Sequence, residues 1–435
     1  MRFLHLFVVS MLFTGITPAT GRPGSARIVF DDALRRVASH PPADTLTFDA
    51  VLARVARTYP GFGAAAARIE AAQDGVTQAR ARPNPWLHMA AENVGGTYSG
   101  DDASELSLLL SQEFELGGKR SARTTAAEAA SATAGLEADL AILDIYLVAK
   151  QRFTTAAHAD ERLRLARAHE SVVAELADAA RERVRAGAAL LADQLLADVA
   201  LVRVRQEALL AEMERTRARR DLAALWGEPD GVSKPLAALA LPERLPEPDS
   251  IAAWVDGSAA VTRARRATAA SQAGLQIERS LRVPTLTAGA GLRRVEADDA
   301  TTFLFSASLP LPLWDRRDGA IQSAQAQVRA GELETELARS VTRSHLEAGL
   351  GRLSAMRERL RQSNESTLPT LQSAAREMET AYRIGRASYA DLLEVHRMRI
   401  EVENEINDLH LAIVHEVSEI ERLTARTIEE MMSDE

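Results

Sequence analysis

Residues 106–116 read LSLLLSQEFEL, and the fold turns on how this segment is read. In an extended chain, Leu106, Leu108, Leu110, Phe114 and Leu116 share one face, while Ser107, Ser111, Glu113 and Glu115 share the other. A strand partner is expected at Trp86–Val94, joined through the loop GGTYSGDDA, and the second strand is expected to run from Glu105 to Leu116. The plan recurs later in the chain. LTAGAGLR sets Leu286, Ala288, Ala290 and Leu292 against Thr287, Gly289, Gly291 and Arg293. TFLFSASLPL sets Phe303, Phe305, Ala307, Leu309 and Leu311 against Thr302, Ser306 and Ser308, with Leu304 breaking the polar set. These give strands at Pro284–Arg294 and Thr301–Leu311 around the loop VEADDA. Each is about ten residues long, which suits a tilted membrane strand.

Any one hairpin fits equally well as a soluble amphipathic pair lying on a core, because the alternation of a single strand is a weak signal. The start of the chain tips the balance. MRFLHLFVVSMLFTGITPATGRPGSA places Arg2 ahead of an apolar run from Phe3 to Ile16, then small residues, the pattern of a secretory signal over 1–26. No later segment offers about 18 uninterrupted apolar residues, so no transmembrane helix is expected. The chain has no cysteine, which excludes disulfides, thiolate metal sites and a cysteine-linked lipid anchor. Two matching hairpins in an exported chain of this kind favour a membrane setting.

The rest of the sequence is built for long helices. Of 435 residues 46% are apolar and 26% charged, yet only 4% are aromatic, so helices rich in Ala, Leu, Arg and Glu must pack without large rings. With a net charge of −9 and no basic stripe, nucleic acid is not an expected partner. The chain divides at the Pro-rich stretch 227–249 into two repeats, 27–226 and 250–425, with a tail at 426–435. RAGAALLADQLL (185–196) aligns with RIGRASYADLLE (383–394), Gly385 lying 198 positions after Gly187. SQEFELGGKR aligns with SLPLPLWDRR, Ser308 lying 197 positions after Ser111. A nearly constant offset argues for duplication.

In the first repeat we expect one helix over Asp49–Arg82, the hairpin 86–116, a helix over Gly118–Val184 and a return helix over Leu190–Leu225. The second expects a helix over Ser250–Arg282, the hairpin 284–311, a helix continuing to Arg383 with a bend at Pro369, and a return helix over Ser388–Ala425. The helix over Gly118–Val184 would be on the order of 100 Å long, which exceeds a globular core and implies a coiled-coil or helical-barrel body. Four strands cannot close a barrel, and an open edge in lipid leaves unpaired N–H and C=O groups. Two copies would make eight strands, too narrow for a channel; three would make twelve around an aqueous lumen. Trp86, Phe114 and Trp314 fall at strand ends on one side, where an interfacial aromatic belt would lie.

With these segments assembled, the chain resembles the TolC-like outer membrane efflux proteins, most closely their heavy-metal (CzcC-like) branch. The resemblance covers nearly all of the mature sequence. It rests on LTFDAVLARVARTYPGFGAAAARIEAAQDGVTQARARPNP, on QEFELGGKRSAR after the second strand, on LPLPLWDRRDGAIQSAQAQ, and on the two glycine-centred turns. It implies a mainly α fold with a membrane β-barrel: a homotrimer whose four strands per subunit form a twelve-stranded barrel, continued by a periplasmic tunnel of long helical hairpins. It also implies a Gram-negative outer membrane with its lipid, a periplasmic adaptor protein and an inner membrane pump of the resistance-nodulation-division type as partners. Gly187 and Gly385 would then turn the hairpins at the periplasmic tips, with Arg185, Leu190, Arg383 and Ser388 meeting the adaptor. Family members carry acidic residues one turn apart near this tip; Asp391 and Glu394 match that spacing, Glu standing for the second Asp. Asp193 holds the equivalent place in the first repeat, paired with Leu196 rather than an acid. A plain solvated face and a plain helix turn remain the alternatives for these residues.

Chemistry of other kinds is not indicated. His410 and His415, five apart, diverge by about 140° around a helix, and no HExxH occurs. No phosphate loop, nucleophile elbow or dinucleotide fingerprint is present, so neither catalysis nor a cofactor is expected. Three functions stay open: an exit duct for heavy-metal efflux, one for organic compounds or type I secretion, and a soluble periplasmic coiled-coil scaffold.

Overall fold

The computed structural model describes residues 33–35, 37, 44–94, 104–228, 231–237, 241, 251–428 and 431. The expected signal segment 1–26 and the loop 95–103 lie outside the described residues, as do most of the linker 227–249 and most of the tail 426–435. The described chain forms two compact units. One holds the residues up to 65, 139–259 and those from 340 onward; the other holds 66–138 and 260–339.

The second unit carries the sheet. Strands β1 (Trp86–Glu92), β2 (Glu105–Phe114), β3 (Leu286–Val295) and β4 (Ala300–Ser308) pair antiparallel in the order β1-β2-β3-β4. All four lie within two or three residues of the segments marked by alternation. Their register puts Leu87, Met89, Leu106, Leu108, Leu110, Ala290, Leu292, Phe303 and Phe305 on one face. That face is exposed, Leu110 being 55% and Phe305 82% accessible, and on β2 the opposite face is the covered one, with Ser107 and Ser111 at 8% and 4%, while on β1 and β4 both faces are open. A water-soluble sheet would have these values reversed. His88 Nε2 and Ser111 Oγ lie 3.0 Å apart on the serine face, and Arg293 donates to Ser107 Oγ (3.0 Å) and meets Glu105 Oε2 at 2.9 Å.

Two glycines let the sheet close up on its serine face. A Cβ at Gly291 would collide with the Leu108 carbonyl, and one at Gly289 would sit 2.6 Å from Ser306 Oγ. Their absence of side chain brings β3 against β2, the means by which sheets bend at barrel corners. Trp86 requires a correction to the expected aromatic belt. It pairs with Ser111, so it belongs to the serine face, where it stacks on His88 at 6.4 Å, while Phe114 belongs to the leucine face.

The described helices are α1 (Phe48–Thr58), α2 (Gly61–Arg80), α3 (Lys119–Arg185), α4 (Leu191–Ala223), α5 (Ile251–Gly257), α6 (Ala259–Leu281), α7 (Asp318–Gln362), α8 (Leu368–Arg383) and α9 (Tyr389–Thr424). The single helix expected over Asp49–Arg82 is two, because Pro60 lacks an N–H and holds Tyr59 extended (φ −75°, ψ 117°). The helix expected over Ser250–Arg282 likewise breaks at Gly257–Ser258, where glycine is a poor helix former. The expected bend near Pro369 takes the form of a π turn over Ser363–Thr367, after which the Leu368 N–H reaches back five residues to the Ser363 carbonyl. By contrast α3 runs unbroken through Gly135 for 67 residues, about 100 Å. The α4 helix ends in a 3₁₀ turn, Ala224–Trp226, closed by Gly227 at φ 80°.

The first unit is helical. Val51, Leu52 and Val55 of α1 pack with Phe153 of α3 and Leu222 of α4, and Phe48 leans on the rings of Phe153 (5.5 Å) and Tyr146 (5.8 Å). Buried polar pairs set the register between helices. Lys150 Nζ meets Glu421 Oε2 at 2.7 Å, and Glu421 Oε1 also accepts the Ile428 N–H. Arg219 binds Asp160 and donates to the carbonyls of Val232 (2.8 Å) and Lys234 (3.0 Å), pinning the described part of the linker to α4.

Replacing Gly291 with valine is expected to cost about 1–3 kcal/mol by forcing β2 and β3 apart. Detergent-refolded protein should then lose its fast-migrating folded band on unheated gels, while far-ultraviolet circular dichroism keeps its helical signal.

Candidate functional site: the paired hairpin tips

The two helical hairpins α3–α4 and α8–α9 end in the same turn. At the first, the Ala188 N–H donates to the Arg183 carbonyl (2.8 Å) and the Gly187 N–H to Val184 (3.0 Å); at the second, Arg386 donates to Ala381 (2.8 Å) and Gly385 to Tyr382 (3.1 Å). These are Schellman closures, which need a left-handed residue, and Gly187 and Gly385 stand there at φ 70° and 77°.

The return helices start by reciprocal capping. Ser388 Oγ accepts from the Asp391 N–H (3.1 Å), and Asp391 Oδ2 accepts from the N–H (3.2 Å) and hydroxyl (2.7 Å) of Ser388. In the first hairpin Asp193 Oδ2 accepts from the Leu190 N–H (3.2 Å), but leucine offers nothing in return. Asp391 and Asp193 therefore hold cap positions, a duty the alternation of charges along the sequence did not disclose. The bonds from Ser388 hold the Asp391 carboxyl below its ordinary value. Glu394 lies one turn on, gripped by Arg397 Nε at 2.9 Å, which lowers its pKa as well. Both acids stay exposed and ionised. Arg185 pairs with Glu182 on its own helix at 2.6 Å, and Arg383 is exposed.

Arg183 ties the two tips together. Its guanidinium lies 4.6 Å over the Tyr382 ring, and Nη1 donates to the Tyr382 carbonyl at 2.8 Å. Tyr382 in turn meets Tyr389 edge to face at 6.2 Å, within a small core that includes Val173, Ala177, Ala197, Leu201 and Leu392. The Tyr389 hydroxyl is buried without a partner among the described residues, and burial pushes its pKa up to about 12. Arg183 lies two residues before Arg185, the first tip residue that the sequence marks, and no local pattern singles it out.

Above the tips, His396 of α9 is buried, with Glu379 of α8 at 3.2 Å from Nε2 and no partner for Nδ1 among the described residues. Burial, then the charge of Arg399, lowers its pKa, Glu379 opposing. His169 of α3, 4.0 Å from Glu207 of α4, is lowered by burial and by His396 and Arg399.

A four-stranded sheet with leucines outward, on helices far longer than a globular domain requires, defines the membrane-inserted component of a channel. The outer membrane efflux protein family model matches residues 53–228 and 256–426, and the chain belongs to that family. It is 30% identical over 363 residues to the cobalt-zinc-cadmium resistance protein CzcC of Cupriavidus metallidurans, covering 82% of this chain and 84% of that one. The nickel-cobalt-cadmium resistance protein NccC of Alcaligenes xylosoxydans is 30% identical over 304 residues, covering 67% and 65%. In fold it is similar to the outer membrane protein VceC of Vibrio cholerae, with a TM-score of 0.73 at 18% identity over 88% of this chain and 96% of that one. The protein is thus an outer membrane efflux protein.

Replacing Arg183 with glutamine removes a charge-assisted bond, and amide exchange over residues 382–389 is expected to accelerate roughly tenfold. A second expectation concerns acid. His396 and His169 are held neutral, so the stability that they support is complete above their ordinary value of 6.5 and is lost as pH falls through their lowered values. Thermal melts from pH 7.5 down to about 5 should show this loss, and His396→Gln should flatten the profile.

Proposed function

We propose that three copies of this chain form a twelve-stranded barrel and a helical tunnel that passively conducts heavy-metal cations out of the cell. The observation that supports the reading is the exposed apolar face of the sheet, most clearly on β2, where Leu106, Leu108 and Leu110 are exposed while Ser107 and Ser111 are buried. An exposed apolar face needs lipid, and the free sides of β1 and β4 need strands from other subunits. Helix α4 supplies a further seam: Leu191, Leu195, Val199, Val202, Leu209 and Met213 recur three, four or seven apart and are exposed. The same exposure removes the support for a soluble scaffold, in which the hairpin leucines would lie against helices. Metal cations are favoured because the similar proteins CzcC and NccC are described as metal-resistance proteins.

Energy would come from an inner membrane pump of the resistance-nodulation-division type, reached through a periplasmic adaptor, since a passive duct needs no catalysis. The adaptor would meet Arg185, Gly187, Leu190, Arg383, Gly385 and Ser388, exposed residues clustered at the tips. Threefold repetition would gather Asp391, Glu394 and Asp193 into acidic rings at the entrance, attracting cations. Asp391 carries the larger share of this field, because Arg397 partly neutralises Glu394. The Arg183–Tyr382 clamp would keep the entrance narrow until the adaptor splays the tips. Phe114 and Trp314 remain the interfacial aromatics, with Trp86 directed to the lumen face.

The test combines assembly and conduction. Detergent-extracted protein should migrate as a heat-modifiable trimer, and Asp391→Ala with Glu394→Ala should reduce cation preference or enlarge current in planar bilayers. A monomer with no conductance would overturn the proposal. A deletion strain sensitive to zinc, cobalt or cadmium supports the metal reading; sensitivity confined to drugs, or failure to secrete a protein, would reassign the cargo.

A further inference from the structure

Each repeat leaves its second strand through the same order of residues, an apolar pair followed by a basic pair. Phe114 and Leu116 precede Lys119 and Arg120, and Leu311 and Leu313 precede Arg316 and Arg317. The first strands begin similarly, with Arg82 ahead of β1 and Arg282 ahead of β3. Because all neighbouring strands are antiparallel, β1 and β3 start where β2 and β4 finish. The six cations therefore gather at one end of the sheet, where the strands pass into the helices and which, on the reading above, would face the periplasm.

Three of the six are occupied within the chain. Lys119 donates to Thr285 Oγ1, Arg282 lies 3.4 Å from Asp318, and Arg317 lies 2.6 Å from Glu278. Arg82, Arg120 and Arg316 are exposed and form no ion pair among the described residues, although the charge of Arg120 is felt by nearby Glu115. Arg82 and Arg120 line one groove whose apolar wall is Phe114 and Leu116. Two of the three acids of that groove are engaged elsewhere, Glu115 by Arg123 at 2.6 Å and Glu128 by Arg80 at 2.8 Å, and Glu113 is the third. On the other repeat, Arg316 follows the exposed Leu311, Leu313 and Trp314. From Leu106 to Leu116 the leucine face rises about 33 Å along the strand, or roughly 25 Å once tilted, so the basic rim lies at the border of a hydrocarbon layer.

A guanidinium beside an exposed apolar band finds one occupant that satisfies both, a phosphate attached to acyl chains. We propose that Arg82, Arg120 and Arg316 bind the headgroup phosphates of phospholipids in the periplasm-facing leaflet and favour anionic ones. The proposal rests on the leucine face lying in lipid, as the reading above requires.

The full chain, extracted in detergent and reconstituted into nanodiscs of mixed phosphatidylglycerol and phosphatidylcholine, would be examined by native mass spectrometry for retained lipid. Retention enriched in phosphatidylglycerol is expected. Each of Arg82→Gln, Arg120→Gln and Arg316→Gln should lower that enrichment roughly fivefold with the heat-modifiable band unchanged. Equal retention of the two lipids, or a triple variant that retains phosphatidylglycerol like the parent, would overturn the proposal. So would loss of the enrichment on adding inorganic phosphate, which would point to a free anion instead. Failure to insert into pure phosphatidylcholine is a separate result and would sink the membrane reading itself.

Discussion

The backbone N–H and C=O groups along the free sides of β1 and β4 impose the condition that the remainder of the molecule must meet. Each such group costs several kcal/mol if left unpaired in lipid. In water they would be tolerable, but the same sheet turns Leu108, Leu110, Phe303 and Phe305 outward, which water penalises at about 25 cal/mol per Å² of apolar surface. Neither solvent satisfies a lone copy. On the proposed reading, lipid would take the leucine face and strands from further copies the edges. Assembly of copies would also cover the exposed apolar seam of α4.

Duplication supplies the tips with two copies of one turn, yet the copies have diverged in useful ways. Glycine at Gly187 and Gly385 and the acid at Asp193 and Asp391 are shared, because the left-handed turn and the first free N–H groups demand them in both. The hydroxyl is not shared, since Ser388 corresponds to Leu190. The second return helix therefore starts with two reciprocal bonds and the first with one. Arg183 is likewise unmatched: Ala381 stands at the equivalent place. The first hairpin provides the clamp and the second, through Tyr382 and Tyr389, provides what is clamped.

Those features that obey a short period were legible in the sequence. Alternation in LSLLLSQEFEL identified both faces of β2, and the constant offset located both turns before any coordinates. What periodicity cannot carry is the partner across space. Arg183 and Tyr382 are 199 residues apart, and no local pattern joins them. The face of Trp86 depends on its pairing with Ser111, a register fixed by the loop and by neighbouring strands. The apolar spacing on either side of Pro60 continues a helix through it, whereas the missing N–H breaks the chain locally. Asp391 shows a different failure: Ser-x-x-Asp is a legible cap, but attention to charge spacing hid it.

The buried polar pairs grade the stiffness of the helical unit. Alanine-rich helices approach closely but slide easily, as small side chains interlock poorly, and paired charges fix their register at the cost of desolvation. Lys150–Glu421 and Asp160–Arg219 secure α3 against α9 and α4, and His158 with Asp408 (2.8 Å) extends that hold. Beyond them towards the tip, the His396 ring nitrogens and the Tyr389 hydroxyl are buried without hydrogen-bond partners among the described residues. Local opening needs least free energy where buried groups are least satisfied. The final stretch of each hairpin is therefore the compliant part, and a partner pulling on Gly187 and Gly385 would part the tips without loosening the register farther up.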